Sequence, residues 1–448
     1  MGTLFGTDGI RGVANAGLPP ELALRVGRAV AVACARGVLG SKPSGRPVVV
    51  VGRDTRPSGR MLSDAVAAGV RSGGADIRDV GVLPSGGVAM LAADDDGVGA
   101  GVVVSASHNP APDNGIKLLG PDGGKLSLEV ESEVADLVGS ELDLPTGPGI
   151  GGDSPLVTDP AQRYLELVTE RVPLDLSGMR IVVDCANGAA RWTAPEALRR
   201  MGADVVALNT GDGEAINDRC GATHPEVVAE AARAHGCIGL TFDGDADRVL
   251  AADEHGRVVD GDATLAILAR RLSERGELSG GAVAVTVMSN QALRRWCASN
   301  AIGLVETPVG DRNVVAAMSD RGLVLGGEQS GHVLRLDLAP TGDGLLTALC
   351  LLEAVVAAEG RLEDLVPFAP FPQVLVNVPT NGSPSIESDG VRDAVARAQE
   401  RLGDGGRVLI RPSGTEPLVR VMVEAAEHEQ ARSVAGELAD AVREALGG

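Results

Sequence analysis

The sequence predicts an α/β protein in which three similar α/β domains, with mixed and mostly parallel sheets, precede a smaller α+β domain around a central cleft. Its 448 residues are too many for one ordinary hydrophobic core. Three segments that begin at Ser44, Leu176 and Leu278 share one sequence pattern, a small-residue turn followed by a continuous run of β-branched and other apolar residues. Runs without alternation are typical of strands buried on both faces of a parallel sheet, and helical stretches separate them here.

Helical periodicity and turn residues divide the chain into elements and domains. Apolar spacing predicts helices over 21–37, 194–202 and 262–276. Gly- and Pro-rich composition predicts a boundary or a loose loop at 140–155 and a second break at 368–384. The C-terminal pattern is different from the first three, and it predicts strand 374–378, helix 389–402, strand 407–411, strand 418–424 and helix 427–446. The predicted domains are residues 1–140, 155–253, 254–367 and 373–448.

Composition and charge exclude several classes of partner. The net charge is −21, the wrong sign for a nucleic-acid backbone, and four Phe, two Trp and one Tyr provide no stacking platform for bases. The N-terminus carries Asp8 and Arg11 where a signal peptide would be apolar, and the longest apolar stretch, 345–358, is too short to span a bilayer. Six scattered cysteines without a C-x-x-C pair fit buried reduced thiols. We therefore expect a cytoplasmic protein without nucleic-acid or membrane partners.

The segment TFDGDADRV, residues 241–249, predicts a metal site. Asp243, Asp245 and Asp247 alternate with small residues, so an extended chain would point three carboxylates the same way. Three converging negative charges require a cation, and all-oxygen ligands favour Mg²⁺. An EF-hand is disfavoured because Arg248 stands where that loop needs Gly. An aspartyl-phosphate nucleophile and a solvated acidic turn stay open as alternatives.

The segment VVVSASHNPAPDNGIKLLG, residues 102–120, predicts a nucleophile. An apolar strand runs into a polar turn, the position where functional groups usually lie. Ser107 stands beside His108, and Lys117 follows ten residues later, within reach to balance a phosphate or move a proton. A serine next to a histidine is more often a coincidence, and the G-x-S-x-G elbow of esterases is absent.

Two further segments carry polar groups that suit a phosphorylated polyol. LGGEQSGHV at 325–333 is a Gly-rich turn whose Glu328 and Ser330 have the spacing to bind vicinal hydroxyls, although an ordinary hairpin turn explains it equally well. RVLIRPSGTEPLVRVMVEA at 407–425 places Arg, hydroxyls and backbone N–H groups between two strands, as in a phosphate cradle. Walker A and G-x-G-x-x-G spacings are absent, which disfavours nucleotide binding. Together the four segments, one per domain, predict phosphoryl transfer.

The same segments make the chain resemble the α-D-phosphohexomutase superfamily from end to end. The matching motifs are FGTDGIRG at 5–12, SASHNP at 105–110, DNGIKL at 113–118, DGDADR at 243–248, GEQSGH at 327–332 and RPSGTEPLVR at 411–420. The resemblance implies three similar α/β domains, a smaller mobile C-terminal domain, one Mg²⁺ per subunit, a phosphoserine and a phosphosugar substrate. It also suggests a homodimer, which the residues themselves do not specify.

By that resemblance each candidate residue receives a role. Ser107 would carry the phosphoryl group, and the metal ligands would be Ser107, Asp243, Asp245 and Asp247. The residues that would surround the transferring phosphoryl group are Arg11, His108, Lys117 and Arg248. Those that would bind the sugar are Glu328, Ser330 and His332. Those that would hold the phosphate that does not react are Arg411, Ser413, Gly414, Thr415 and Arg420.

The resemblance also implies a reaction. Gln329, the FGTDGIRG opening and INDRCGATHPE at 216–226 favour the branch that interconverts glucosamine 6-phosphate and glucosamine 1-phosphate, a step towards amino-sugar nucleotides and cell wall. A glucosamine 1,6-bisphosphate would form as the intermediate, would turn end for end, and would serve as the activator. The alternatives are a mutase of glucose or mannose phosphate and a non-catalytic phosphosugar-binding regulator. The residues do not choose between Lys117 and His108 as the proton carrier.

Overall fold

A computed structural model of the chain describes residues 4–6, 8–40, 45–155, 158–380, 388–412 and 418–445. The chain divides into two compact units, one of Met1–Met288 with Ile302–Val366 and one of Ser289–Ala301 with Pro367–Gly448. No helix among the described residues has the length and apolar character needed to cross a membrane. All six cysteines lie in described segments, and each is buried as predicted.

The larger unit begins with a mixed five-stranded sheet. Its strands are β1 (Ile10–Val13), β2 (Val48–Arg53), β3 (Asp76–Val82), β4 (Val98–Val104) and β5 (Asp113–Leu119), and its helices are α1 (Pro20–Arg36), α2 (Gly59–Ser72), α3 (Ser85–Ala93) and α4 (Leu128–Gly139). The strand order is β1-β5-β4-β2-β3, parallel from β4 to β3 and antiparallel at β5 and β1. Strand β4 is buried along its whole length, as its unbroken apolar run predicts. The chain leaves β2 and β4 at the same edge of the sheet because these strands are parallel.

A second mixed sheet follows in the same unit. Its elements are α5 (Pro160–Arg171), β6 (Arg180–Asp184), α6 (Ala190–Arg200), β7 (Asp204–Leu208), α7 (Glu226–His235), β8 (Ile238–Phe242), β9 (Val249–Ala252) and β10 (Val258–Val259). The strand order is β10-β9-β8-β6-β7, with a parallel centre from β8 to β7. Helix α6 begins four residues before its predicted start at 194, and Pro195 therefore lies inside the helix.

The third sheet completes the larger unit. The chain continues through α8 (Gly261–Glu274), β11 (Ala282–Thr286), α9 (Gln291–Ser299), β12 (Gly303–Thr307), α10 (Asp311–Arg321), β13 (Leu325–Gly327), β14 (Val333–Arg335), α11 (Gly344–Ala357) and α12 (Leu362–Leu365). The strand order is β12-β11-β13-β14, with only β14 antiparallel. The apolar stretch of 345–358 forms most of helix α11, which is largely buried.

The smaller unit is an antiparallel sheet with helices. It contains β15 (Gln373–Pro379), α13 (Asp389–Leu402), β16 (Arg407–Pro412), β17 (Leu418–Glu424) and α14 (His428–Ala445), in the strand order β15-β17-β16. Helix α9 belongs to this unit although chain order places it in the third predicted domain. The N–H of Gln291 at the start of α9 donates to buried Glu424 at 2.9 Å, and Arg407 pairs with the same carboxylate.

The segment 140–155, predicted to be a boundary or a loose loop, is hydrogen-bonded to the first sheet. Its backbone continues beside β3, where the N–H of Ile77 donates to Gly152 O at 3.0 Å and the N–H of Ser154 donates to Ile77 O at 2.8 Å. Arg46, which lies just before β2, donates to Ile150 O and Pro148 O. The chain is therefore fixed to the first sheet before it enters the second.

Helices that accompany each of the three sheets of the larger unit, α3, α5 and α11, contact one another at Asp343. Its carboxylate caps α11 by accepting the N–H of Leu346 at 2.8 Å, and it accepts the hydroxyl of Tyr164 in α5 at 2.8 Å. A Cβ at Gly86 in α3 would lie 2.2 Å from the same carboxylate, so only glycine fits there. The next residue, Gly344, donates its N–H to Ala246 O at 2.9 Å, which fixes the acidic loop against the start of α11.

Candidate active site

The acidic loop between β8 and β9 brings three carboxylates together. Ligand oxygens of Asp243, Asp245 and Asp247 lie within 4.8 Å of one another, and all three residues are buried. Sequence reasoning was right about the convergence and wrong about its cause, because the loop is a turn rather than extended chain. Ala246 has a φ of 57°, which reverses the backbone between the second and third carboxylates.

Burial and mutual repulsion make this loop costly to form without a cation. Burial raises the pKa of Asp243 well above its usual range, and repulsion from Asp247 and Asp245 adds to the increase. Burial acts the same way on Asp247, but Lys117, His332 and Arg248 outweigh it and hold the pKa of Asp247 well below its usual range. Among the described residues, Asp245 Oδ1 and Asp247 Oδ1 are buried without a hydrogen-bond partner. Buried, unsatisfied carboxylate oxygens fit a hard cation such as Mg²⁺.

The loop between β4 and β5 places a serine against these carboxylates. Ser107 is 1% exposed, and its Oγ donates to Asp243 Oδ2 at 2.6 Å. His108 Nδ1 lies 3.4 Å from the same Oγ. Burial, followed by the positive charges of Arg248 and Arg11, lowers the pKa of His108 to about 4, so its imidazole is neutral near pH 7. The glycine at Gly244 is required, because a Cβ there would lie 2.6 Å from Ser107 O.

Strand β5 supplies a lysine that joins the two loops. Lys117 Nζ donates to Asp245 Oδ2 at 2.9 Å and to Asp247 Oδ2 at 3.2 Å, and it lies 3.2 Å from Asp8 Oδ2. Burial opposes its charge, but these three carboxylates raise the pKa of Lys117 well above its usual range. Arg11 on the neighbouring strand β1 pairs with Asp8 at 2.5 Å and stays partly exposed.

The third sheet adds the turn between β13 and β14. Ser330 Oγ lies 3.3 Å from Glu328 Oε2, and the N–H of Gly310 donates to Glu328 Oε1 at 3.3 Å. The N–H of Val249 donates to Gly331 O at 3.1 Å, which ties this turn to the acidic loop.

Two charged side chains lie between this turn and the acidic loop. The main-chain N–H of Arg248 donates to Asp243 Oδ1 at 3.2 Å. Burial opposes the charge of the Arg248 guanidinium, but Asp243, Asp247 and Glu328 outweigh it and raise the pKa of Arg248. His332 is 4% exposed, with Nδ1 3.6 Å from Asp247 and Nε2 3.5 Å from Asp311. Its pKa rises to about 9 despite burial, because these carboxylates favour the imidazolium. His332 thus contacts the acidic loop.

Sequence reasoning missed several charged and polar residues that contact this cluster. Lys125 pairs with Asp8 at 2.8 Å and with Asp311 at the start of α10, so a chain of ion pairs joins the first and third sheets. Ser85 at the start of α3 donates to Asp245 Oδ2 at 2.7 Å. The partners are separated by more than a hundred residues, so no local pattern indicates them. The only available signal was the scarcity of lysine, since Lys117 and Lys125 are two of three in the chain.

The smaller unit carries the described part of the predicted phosphate cradle. Arg411 and Arg420 face each other in register on β16 and β17. Burial, followed by the charge of Arg420, lowers the pKa of Arg411, and its Nε is buried without a hydrogen-bond partner among the described residues. Two adjacent guanidinium groups favour an anion between them. Ser413, Gly414 and Thr415 lie outside the described residues.

Models of the phosphoglucomutase/phosphomannomutase family match the chain along most of its length. The α/β/α domains I, II and III match residues 2–143, 162–256 and 260–370, and the C-terminal domain matches 375–441. These matches and the mixed sheets described above confirm both the predicted fold class and the family resemblance.

Curated relatives and solved structures agree with this assignment. A phosphoglucosamine mutase of Corynebacterium efficiens is 49% identical over 99% of this chain and 100% of its own, and one of Saccharopolyspora erythraea is 50% identical over 99% of both. A phosphoglucomutase/phosphomannomutase family protein of Burkholderia thailandensis has a TM-score of 0.82 and 26% identity over 100% of this chain and 98% of its own. The N-acetylphosphoglucosamine mutase of Aspergillus fumigatus, in complex with GlcNAc-6P and magnesium, has a TM-score of 0.69 and 21% identity over 99% of this chain and 96% of its own, and shows the same fold.

Proposed function

Because the chain belongs to the phosphoglucomutase/phosphomannomutase family, we propose that it interconverts glucosamine 6-phosphate and glucosamine 1-phosphate through a phosphoserine at Ser107. Full-length relatives at 46–50% identity carry the name phosphoglucosamine mutase, which supports this choice of substrate. The observation that carries the chemistry is the 2.6 Å contact between Ser107 Oγ and a buried loop of three carboxylates. A hydroxyl in that position is ready to exchange its proton for a phosphoryl group.

The same loop would hold one Mg²⁺ per subunit. The ligands would be Asp243, Asp245, Asp247 and an oxygen on Ser107. The three aspartate carboxylates are buried, and two of their oxygens have no hydrogen-bond partner among the described residues. When bound, the ion would neutralise charge that develops on the transferring phosphoryl group. Arg248 and Lys117 would supply further positive charge from the protein side, since buried Lys117 and partly buried Arg248 lie beside this loop and are held in their charged forms.

Each half-reaction exchanges one P–O bond for another. A sugar hydroxyl attacks the phosphorus of phosphoserine 107, the bond from phosphorus to Ser107 Oγ breaks, and Oγ keeps the electron pair. The hydroxyl proton passes to the neutral imidazole of His108, and Ser107 Oγ takes a proton from the Lys117 ammonium, because a charged ammonium can donate a proton but cannot accept one. His108 is the neutral member of the pair and Lys117 the charged one in this structure. In the second half, Ser107 Oγ takes back the other phosphate of glucosamine 1,6-bisphosphate after that intermediate has turned.

Substrate orientation is assigned to two separate sets of groups. Glu328 and Ser330 would bind sugar hydroxyls, because their oxygens lie together at the tip of the turn after β13. Arg411 and Arg420, with Ser413, Gly414 and Thr415, would hold the phosphate that does not react. We include in the proposal activation by glucosamine 1,6-bisphosphate, a homodimeric assembly and a cytoplasmic location, which the resemblance and the buried cysteines support.

The test of the proposed function is a comparison of three substrates. The specificity constant should be highest for glucosamine 6-phosphate and lower for glucose 6-phosphate and mannose 6-phosphate, each measured with saturating Mg²⁺ and the matching bisphosphate. A preference for glucose or mannose phosphate would assign the chain to a different mutase. Absence of turnover with all three sugars, together with measurable phosphosugar binding, would favour the non-catalytic regulator.

Replacing Arg420 with alanine should raise KM for the sugar phosphate by about tenfold or more, because it removes a charge-assisted contact made in the ground and transition states alike. Steady-state kinetics over a range of substrate concentrations measure this change. Arg401→Ala is the matched control, since Arg401 lies in the same unit and pairs with Glu437 on the surface. An unchanged KM in Arg420→Ala would remove Arg420 from the phosphate site.

A further inference from the structure

A closed ring of buried hydrogen bonds holds the peptide groups on both sides of Ser107. The N–H of Ser107 donates to Ser105 Oγ at 2.9 Å, and Ser105 Oγ donates to Asp54 Oδ2 at 2.6 Å. Arg56 Nε donates to the same Asp54 oxygen at 2.9 Å, and Arg56 Nη2 donates to Ser107 O at 2.8 Å. The ring therefore begins and ends on the main chain of the proposed nucleophile, and its three side chains leave the Ser107 hydroxyl outside it.

The ring is built where two parallel strands end. Asp54 and Arg56 follow β2, and Ser105 follows β4, so the parallel pairing of these strands brings the three side chains to one edge of the sheet. Asp54 is 1% exposed, Arg56 is 2% exposed and Ser105 is fully buried. Burial strengthens each of these bonds and makes an unpaired member costly.

Arg56 extends the ring into the rest of the loop. Its guanidinium donates to Asn109 O at 2.7 Å and to Asp113 O at 3.0 Å, and it also contacts Pro110 O. Asn217, from the loop between β7 and α7, donates to Ser107 O at 2.9 Å and to Asn109 O at 3.0 Å. A planar fork with five donors can satisfy this many acceptors at once, and a lysine ammonium cannot.

The conformation of Ser107 explains what the ring is for. Ser107 has a φ of 51°, a left-handed conformation that residues with a side chain rarely adopt and that persists only when the surroundings fix it. That conformation directs Oγ to Asp243 at 2.6 Å. If the peptide relaxed, the hydroxyl would leave the acidic loop although every side chain that would contact the substrate remained in place.

We propose that Ser105, Asp54 and Arg56 are positioning residues that hold Ser107 in its strained conformation and thereby set the rate of phosphoryl transfer. This inference rests on the proposed function only in taking Ser107 as the nucleophile. The three residues are buried behind the loop, so they act on Ser107 and not on the sugar. Their loss should lower the rate of the chemical step and leave substrate affinity unchanged.

The first test is Ser105→Ala, which deletes one hydroxyl and keeps the rest of the loop. We expect kcat, and the single-turnover rate of phosphoryl transfer from the phosphorylated enzyme to glucosamine 6-phosphate, to fall by about tenfold to a hundredfold, as small displacements of a reacting group do. KM should stay within about twofold of the wild-type value. Thermal unfolding is followed in parallel, and all rates are taken per folded molecule well below the transition.

A second variant, Arg56→Lys, keeps the positive charge but loses the planar guanidinium that donates to several acceptors at once. It should reproduce the selective loss in kcat if it folds, and Ser105→Ala decides the matter if it does not. Arg271→Lys is the matched control, because Arg271 forms a forked pair with Glu353 at 2.6 and 3.1 Å between α8 and α11, away from the site. It should lose stability without losing the transfer rate.

The outcomes separate this inference from the proposed function. Wild-type protein without mutase activity, or a Ser107→Ala variant that keeps it, would overturn the proposed function itself. An active wild type and a silent Ser107→Ala, combined with wild-type transfer rates per folded molecule in Ser105→Ala, would overturn the positioning role alone. A rise in KM that accounts for the whole loss of activity would overturn it as well.

Discussion

Replacing Ser107 with alanine should abolish mutase turnover, by at least about a thousandfold, because the variant lacks the hydroxyl that would carry the phosphoryl group. Ser107 Oγ contacts Asp243 and lies beside His108, whereas the hydroxyl of Ser85, at the start of α3, contacts Asp245. Intact-mass measurement should find purified wild-type protein partly heavier by one phosphate, with the modified peptide containing Ser107. The alanine variant should show a single unmodified mass.

Dephosphorylated wild-type protein provides the control for this result. It should be nearly inactive after phosphatase treatment and should recover when glucosamine 1,6-bisphosphate is added, whereas Ser107→Ala should stay inactive. Ser105 is not a neutral comparison, because its hydroxyl accepts the N–H of Ser107. Ser140→Ala is suitable instead, since Ser140 lies at the exposed end of α4 and its hydroxyl donates to Asp136 O within the same helix. Phosphate on another residue of the Ser107→Ala variant, with activity retained, would show that the nucleophile is misassigned.

The residues that sequence reasoning identified are those whose chemistry is visible in a short segment. Three aspartates within five residues repel one another in any compact conformation, so a cation could be inferred although the turn at Ala246 could not. A serine and a histidine at the end of an apolar strand indicated the nucleophile loop for a similarly local reason. The unbroken apolar runs likewise predicted the parallel strands that place these loops at one edge of each sheet.

The residues that it missed depend on contacts between distant segments. Lys125 forms ion pairs with Asp8 and Asp311, and these pairs join the first and third sheets. The sequence around each of the three residues resembles that of an ordinary surface loop. Arg56 follows a predicted strand closely in the sequence, but its role depends on loop carbonyls about fifty residues away. Long-range partners follow from the packing of the sheets, which residue patterns do not specify. The assignment of α9 to the smaller unit is a further case, because it follows from its contact with Glu424.

Replacing Asp245 with asparagine should lower turnover by at least about a hundredfold while the protein stays folded, because the variant removes one of three charges that would bind the metal. Asp245 Oδ2 accepts Ser85 and Lys117, and Oδ1 is buried without a hydrogen-bond partner among the described residues. An asparagine has nearly the same volume, so packing should be preserved, and one source of repulsion towards Asp243 disappears. Turnover is measured across a range of Mg²⁺ concentrations, and thermal unfolding reports the folded state.

Chelation gives the same information without a substitution. EDTA should stop turnover of the wild-type protein, and added Mg²⁺ should restore it, whereas Asp245→Asn should remain slow at any Mg²⁺ concentration. The control is Asp253→Asn, since Asp253 is also a buried carboxylate, directly after β9, but pairs with Arg257 and not with the acidic loop. Loss of stability with normal turnover is expected there. Near-normal turnover of Asp245→Asn with Mg²⁺ would remove this residue from the metal site, because a carboxylate that neutralises a buried cation cannot be exchanged for an amide without loss.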